Sequence, residues 1–202
     1  MSPIKNIVFD LGDVFINLDK MATARIMHKY GFTTVTPALD SLFKHYEKGL
    51  MDSKSFLDQV GVHFPKASRQ NLKEAWNSIL LDFPEYRLEF LEELASKNQY
   101  RLFLLSNTNA LHMEGVEQQM GTERFKRFKD VFEGFYLSHE IGMRKPDIEI
   151  FQFVLDQNRL HPAETLFVDD TKENTDAAAN LGIKTWHLKV GAEEVTQIKL
   201  FL

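Results

Sequence analysis

Three polar clusters each follow a short apolar run: Asp10-Leu11-Gly12-Asp13 after IKNIVF, Ser106-Asn107 after YRLFLL, and Asp169-Asp170 after TLFV. The neighbouring carboxylates Asp169 and Asp170 repel each other, and a divalent cation relieves that repulsion. One Asp after a strand says little, because turns favour Asp. Three clusters after three separate runs are harder to read as turns, although they could instead cap the helices that follow. In open α/β sheets, ligands bind beyond the carboxyl ends of the strands. The three clusters are therefore expected to converge on one cleft.

The elements that must position these groups read as alternating strands and helices. Apolar runs with β-branched and aromatic residues predict strands over 4–9, 100–105, 134–137, 165–168 and 183–188. Helical spacing marks 84–97 through Leu88, Leu91 and Leu94. A second helix is expected over 146–157, with Pro146 at its first position and an acid in its first turn. A third runs from Lys172 to Leu181 and stops at Gly182. This rhythm predicts an α/β fold, with a parallel sheet covered by helices on both faces.

Residues 19–82 break the rhythm. They contain no convincing strand and offer helices over 21–30, 36–46, 53–60 and 68–81, the second capped by Thr36 with Pro37 at its first position. The expected organisation is an α/β core of residues 1–18 and 83–202, with a small all-helical insert of residues 19–82 after the first strand. Aromatic and Met stripes within the insert read as helix-packing core.

Composition narrows the partners. The 202 residues carry a formal net charge of −5 and no cysteine. The charge gives no reason to expect nucleic acid, whose phosphate backbone rewards basic patches. Without cysteine, disulfides, thiolate metal sites and cysteine nucleophiles are excluded. No apolar stretch approaches the roughly 20 residues of a membrane span, and residues 1–13 lack signal-peptide architecture. The chain is expected to be cytoplasmic, a monomer or weak homo-oligomer, with no membrane partner. The seven histidines show no ligand spacing.

Four segments in order, DLGDV at 10–14, LSNTN at 105–109, GMRKP at 142–146 and FVDD at 167–170, resemble the four motifs of the haloacid dehalogenase superfamily. The resemblance covers essentially the whole chain, and the LSNTN and GMRKP forms resemble its α-D-glucose-1-phosphatase-like branch. It implies a Rossmann-like three-layer core with the helical insert as a cap. It also implies a Mg²⁺-dependent phosphomonoester hydrolase that forms an aspartyl-phosphate on a small phosphorylated substrate. Asp10 matches the nucleophile. The implied metal ligands are the carboxylates of Asp10 and Asp170 and the backbone carbonyl of Gly12, with Asp169 direct or through water. Lys145 matches the cation that binds phosphate oxygens; the family pattern, and nothing in the spacing, selects it over Arg144. Ser106 and Asn107 match the phosphate-binding donors. Asn174, one helical turn past Asp170, could steady the acidic pair or Lys145.

The chain departs from the pattern at Gly12, where most phosphatases of the superfamily carry a second Asp that protonates the leaving oxygen. Such a group is typically worth about 10²–10⁴ in rate. Asp13 is adjacent and points elsewhere, so it is not expected to substitute. A sugar 1-phosphate, whose anomeric oxygen leaves more readily than an ordinary alkoxide, fits a site without that acid. Two alternatives stay open: a metal-independent 2-haloacid dehalogenase, and a non-catalytic phosphate-binding or scaffold domain. Within the insert, residues 45–50 are the candidate substrate-facing loop, because Gly49 interrupts two helices.

Overall fold

A computed structural model describes residues 3–202. Five parallel strands form one sheet: β1 (Asn6–Phe9), β2 (Arg101–Ser106), β3 (Gly134–Leu137), β4 (Thr165–Asp169) and β5 (Lys184–His187), in the order β3-β2-β1-β4-β5. β1 is central. Phe9 lies opposite Leu104 on one side and Val168 on the other. The next residues, Asp10, Leu105 and Asp169, therefore sit at one level at the carboxyl ends of adjoining strands. The chain runs outward in both directions from β1, the place where such sheets open a crevice.

Alternate residues of each strand feed opposite faces, as the pleat requires. Ile7, Phe9, Leu102 and Leu104 pack on one side with Leu88 and Leu91 of α5 (Glu85–Ser96), Val116 of α6 (Ala110–Met120) and Phe128 of α7 (Thr122–Asp130). Val8, Phe103, Leu105 and Phe167 pack on the other with Phe151 and Val154 of α9 (Ile148–Asn158) and Ala178 of α10 (Lys172–Ala179). A short α8 (Ser138–Ile141) follows β3. The core is thus the expected α/β arrangement. Helices α6 and α7 are not marked by apolar spacing. The middle of α6 is interrupted by Gly115, and α7 buries only Phe128.

Pro146 does not open α9. The helix starts at Ile148 with Asp147 before it, and the Lys145–Pro146 peptide is cis. The residue before a proline is biased away from helical backbone, so the chain turns here and presents Lys145 to the sheet.

Between β1 and α5 lie α1 (Ala22–Met27), α2 (Pro37–Glu47), α3 (Ser53–His63) and α4 (Arg69–Asn77). Thr36, Asp52 and Ser68 cap the last three, each side-chain oxygen accepting a backbone N–H of the first turn. These helices share a cluster of their own, in which Tyr46 stacks on Phe56 at 4.0 Å and Trp76 meets Phe56 at 4.8 Å. Leu111 of α6 joins that cluster and ties it to the core. The segments entering and leaving the insert run antiparallel: Leu81 N donates to Asn17 O at 2.9 Å and Asp19 N to Ile79 O at 2.9 Å. Among the described residues no helix is long and apolar enough to cross a membrane.

Candidate active site

Asp10 follows β1, Ser106 ends β2, and Asp169 ends β4, so sheet register alone brings them together. One carboxylate oxygen from each of Asp10, Asp169 and Asp170 lies within 4.8 Å of the others. Lys145 enters from the turn before α9 and is 1 % exposed. Its ammonium donates to Asp10 Oδ1 at 2.8 Å, Asp169 Oδ2 at 2.6 Å and Leu105 O at 2.8 Å. An ammonium has three donors, so all three are taken. In this arrangement Lys145 acts as a buried counter-charge that aims Asp10, and a direct bond to phosphate would require exchange of one partner.

Asp169 is fully buried and heavily held. Asn174 donates to both of its oxygens, at 3.1 and 3.0 Å, and Thr171 N donates to Oδ1 at 2.8 Å. Asn174 therefore steadies Asp169 and, through it, Lys145. Asn107 works on the same lysine from outside. Its amide donates to Lys145 O at 2.8 Å and accepts from Lys145 N at 2.8 Å. That side chain fixes the turn that carries Lys145 and keeps its second amide N–H.

Electrostatics show an excess of negative charge. Burial pushes the Asp10 carboxyl up to about 7 against the pull of Lys145, with Asp169 and Asp170 adding to the rise. For Lys145 burial works downward, but Asp10 and Asp169 outweigh it and the ammonium is held above its ordinary value.

One group at the cleft is not among the residues read from sequence. Lys20, ten residues beyond Asp10, bridges Asp13 Oδ2 at 2.9 Å and Asp170 Oδ2 at 2.6 Å. Asp13 has a left-handed backbone with φ of 55°, and its Oδ1 accepts from Leu18 N at 3.0 Å. With Oδ2 on Lys20, both of its oxygens are taken up in holding the loop and Lys20. Within the segment 45–50, Tyr46 is core and Gly49 packs against the His139 carbonyl, whereas Glu47 ends α2 and faces the cleft. Arg144 Nε donates to Glu47 Oε2 at 3.0 Å, so the two neighbours Arg144 and Lys145 serve different sides of the site. Burial raises the Glu47 carboxyl above its ordinary value, partly offset by Arg144.

A cavity of about 140 Å³ joins these parts, with Gly12, Leu18, Glu47, Ser106, Asn107 and His112 among its lining residues. A side chain at Gly12 would collide with Leu18, since a Cβ there would lie 2.7 Å from Leu18 Cδ1. Leu18 thus fills the space where a longer residue at this position would start. Glu47 reaches the cavity from the insert.

A profile of the haloacid dehalogenase-like hydrolases matches residues 4–182. The chain is 29% identical to a D-ribitol-5-phosphate phosphatase of Bacteroides thetaiotaomicron over 205 residues, covering 98% of both. It is 48% identical to a sesquiterpene phosphatase of Aspergillus oryzae over 184 residues, 91% of this chain and 89% of that one. Its fold superposes on a haloacid dehalogenase family enzyme of Bacteroides thetaiotaomicron, solved with magnesium and inorganic phosphate. The TM-score is 0.82 at 36% identity, covering 98% of this chain and 100% of the other.

Proposed function

The chain belongs to the haloacid dehalogenase-like hydrolase family, and from that membership we propose that Asp10 attacks the phosphorus of a phosphoric monoester. The protein is a phosphatase of phosphorylated small molecules, and Mg²⁺ is its cofactor. The observation that carries the assignment of Asp10 is its buried pairing with Lys145 beside two further carboxylates. The residues fit the ion. Asp10 and Asp169 share one buried ammonium while Asp170 pairs with Lys20, and the donors are hard oxygens of the kind Mg²⁺ prefers. Asp10, Asp170 and the Gly12 carbonyl would hold it, with Asp169 beside them; when bound it draws charge from the phosphate oxygens and relieves their repulsion of Asp10.

The chain's own groups do the rest. A carboxylate oxygen of Asp10 forms a bond to phosphorus as the ester P–O bond breaks, leaving an aspartyl-phosphate. Ser106 offers a hydroxyl to the phosphate oxygens, and Lys145 offsets the charge that develops. The leaving oxygen takes a proton from Glu47, the carboxyl that lines the same cavity as Gly12 and Ser106. Water then attacks phosphorus and gives its proton to Glu47; the bond to Asp10 breaks and phosphate departs. Residues 19–82 act as the cap, which brings Glu47 to the site and excludes water while the intermediate forms.

Two substrate classes fit this chemistry. The ribitol phosphatase relative supports a sugar or polyol phosphate, the class that includes the glucose 1-phosphate-like substrate expected from the motifs. The sesquiterpene phosphatase relative supports the phosphate of an apolar alcohol. Turnover of both classes, measured with and without Mg²⁺ beside an Asp10→Asn variant, tests the reading. Equal turnover by wild type and variant would remove Asp10 as nucleophile.

A further inference from the structure

A second cavity, of about 250 Å³, lies inside the helical insert. It is slightly below the roughly 300–1,000 Å³ of ordinary small-molecule pockets. Met27, Phe43, Phe56, Val60, Leu72 and Trp76 form much of its wall. It shares Glu47, Ile79 and His112 with the cavity that holds Gly12, Ser106 and Asn107. Lys20, which pairs with Asp170, is also on its wall. The apolar chamber and the strand-tip site are therefore neighbouring spaces with a common polar rim. The chamber is not sealed, since Val35 and Lys20 on its wall are exposed.

The polar lining groups are Lys20, Thr23, Glu47 and His112, and two of these have nothing to offer a ligand. Thr23 Oγ1 donates to Ala75 O at 2.8 Å. His112 Nε2 lies 3.1 Å from Trp76 O and must donate there. Its Nδ1 is then the acceptor of the Asn109 amide at 3.1 Å. Trp76's own indole N–H donates to Asn109 Oδ1 at 3.2 Å. Beyond Lys20 and Glu47, both of which bind core groups, the chamber presents carbon. A hydroxyl carried into it would leave its water partners and find no replacement, whereas a hydrocarbon would leave water with a gain for each group buried.

We propose that this chamber takes the body of the leaving alcohol, and that the substrate is the monophosphate of a hydrocarbon alcohol, alkyl or prenyl in kind, rather than of a polyol. The inference rests on the phosphatase reading above. The phosphate sits at the strand tips, the ester oxygen at the rim with Glu47, and the carbon chain in the insert.

The test measures kcat/KM for acetyl phosphate, for a series of n-alkyl monophosphates of increasing length, and for ribitol 5-phosphate and glucose 1-phosphate, all with Mg²⁺. In wild type kcat/KM should rise by about fourfold per methylene until the chamber is full, and the longer alkyl phosphates should exceed both polyol phosphates. Ala24→Phe, which narrows the chamber, should collapse the ratio of long to short substrates. Val35→Asp, at an exposed wall position that folding tolerates, should lower the same ratio by placing charge at the wall. Should wild type turn over acetyl and polyol phosphates with no gain from chain length, the chamber has no such role and the phosphatase reading stands. A ratio unchanged in both variants overturns the chamber in the same way. If wild type hydrolyses none of these, both readings fall.

Discussion

At the strand tips, the central charged groups are paired and aimed. Lys145 touches three oxygens, Asp169 receives hydrogen bonds from Asn174 and Thr171, and Asn107 pins the turn that carries Lys145. Across the cleft, the insert offers aromatic and aliphatic walls with few polar atoms to give. The first region can stabilise charge on phosphorus but has no means of reading an alcohol. The second can read an alcohol and, apart from Glu47, offers no group for the chemistry. Reaction type and leaving-group choice are thus held in separate parts of the chain, joined at Glu47. The sheet must be rigid to hold repelling carboxylates within reach of one ion. Apart from Lys20 and Glu47, the insert needs only volume and polarity to select an alcohol.

The sharpest way to break this division is at Asp10. Asp10→Asn should reduce turnover of every substrate alike, by ~10⁴ or more, as loss of a nucleophile does. A chelator should do the same to wild type, and Mg²⁺ should restore it. Activity that survives chelation would favour the metal-independent alternative. A loss that varied with the alcohol would break the comparison, because it would mean that the strand tips sense the leaving group.

Glu47 stands at the junction and gives the next effect. Glu47→Gln should cost about 10²–10⁴ in kcat/KM with alkyl phosphates and little in kcat/KM with p-nitrophenyl phosphate, whose leaving group needs no proton, while kcat falls for both because Glu47 also takes the proton of the attacking water. The sign of the pH dependence follows from burial, which raises the Glu47 carboxyl. Its acid form is the working one for the first step, so kcat/KM for alkyl phosphates should fall as pH rises through that raised value. Glu47→Gln should flatten this limb. Equal losses of kcat/KM with both kinds of substrate would mean that Glu47 serves only to hold Arg144.

The two regions were unequally legible. Strand-end acids in motif order placed Asp10, Ser106 and Asp169, because parallel register turns sequence motifs into neighbours. Periodicity found α5 and α9, whose buried residues repeat at helical spacing, and missed α7, where only Phe128 is buried. Lys20 carried no signal, since its pairing with Asp170 spans 150 residues. Asn107 also braces Lys145, a role made by backbone geometry that no spacing encodes. The chamber was invisible for a different reason. Its walls are the same aromatic and Met stripes that read as packed core, and a stripe does not say whether the space between helices is filled.

Asn174 tests how far the rigidity of the strand tips matters. Asn174→Ala leaves Asp169 with fewer donors, and a lost hydrogen bond to a charged group is worth ~1.5–3 kcal/mol. Denaturant unfolding should show a loss of that size. kcat should fall for all substrates by a common factor, with the alkyl-chain ratio intact. A change in that ratio would couple the two regions more tightly than the geometry implies.

His112 offers the smallest effect and the finest test, because it belongs to both cavities. Its ring stacks on Trp76 at 5.2 Å, and burial depresses its pKa to about 4 against the upward pull of Trp76 O. The folded chain therefore keeps His112 neutral where the unfolded chain protonates it. Its contribution to stability is full above about pH 6.5 and is lost as pH falls toward 4. Between pH 7 and pH 5 the loss should be about 2 kcal/mol. His112→Phe should keep the stack and flatten that dependence in denaturant titrations at the two pH values. Because the ring offers a ligand only its face, the same variant should leave the preference for alkyl over polyol phosphates in place. If His112→Phe instead abolished turnover at neutral pH, the imidazole would be handling a proton itself, and the division between an apolar wall and a reacting sheet would have to be redrawn through this residue.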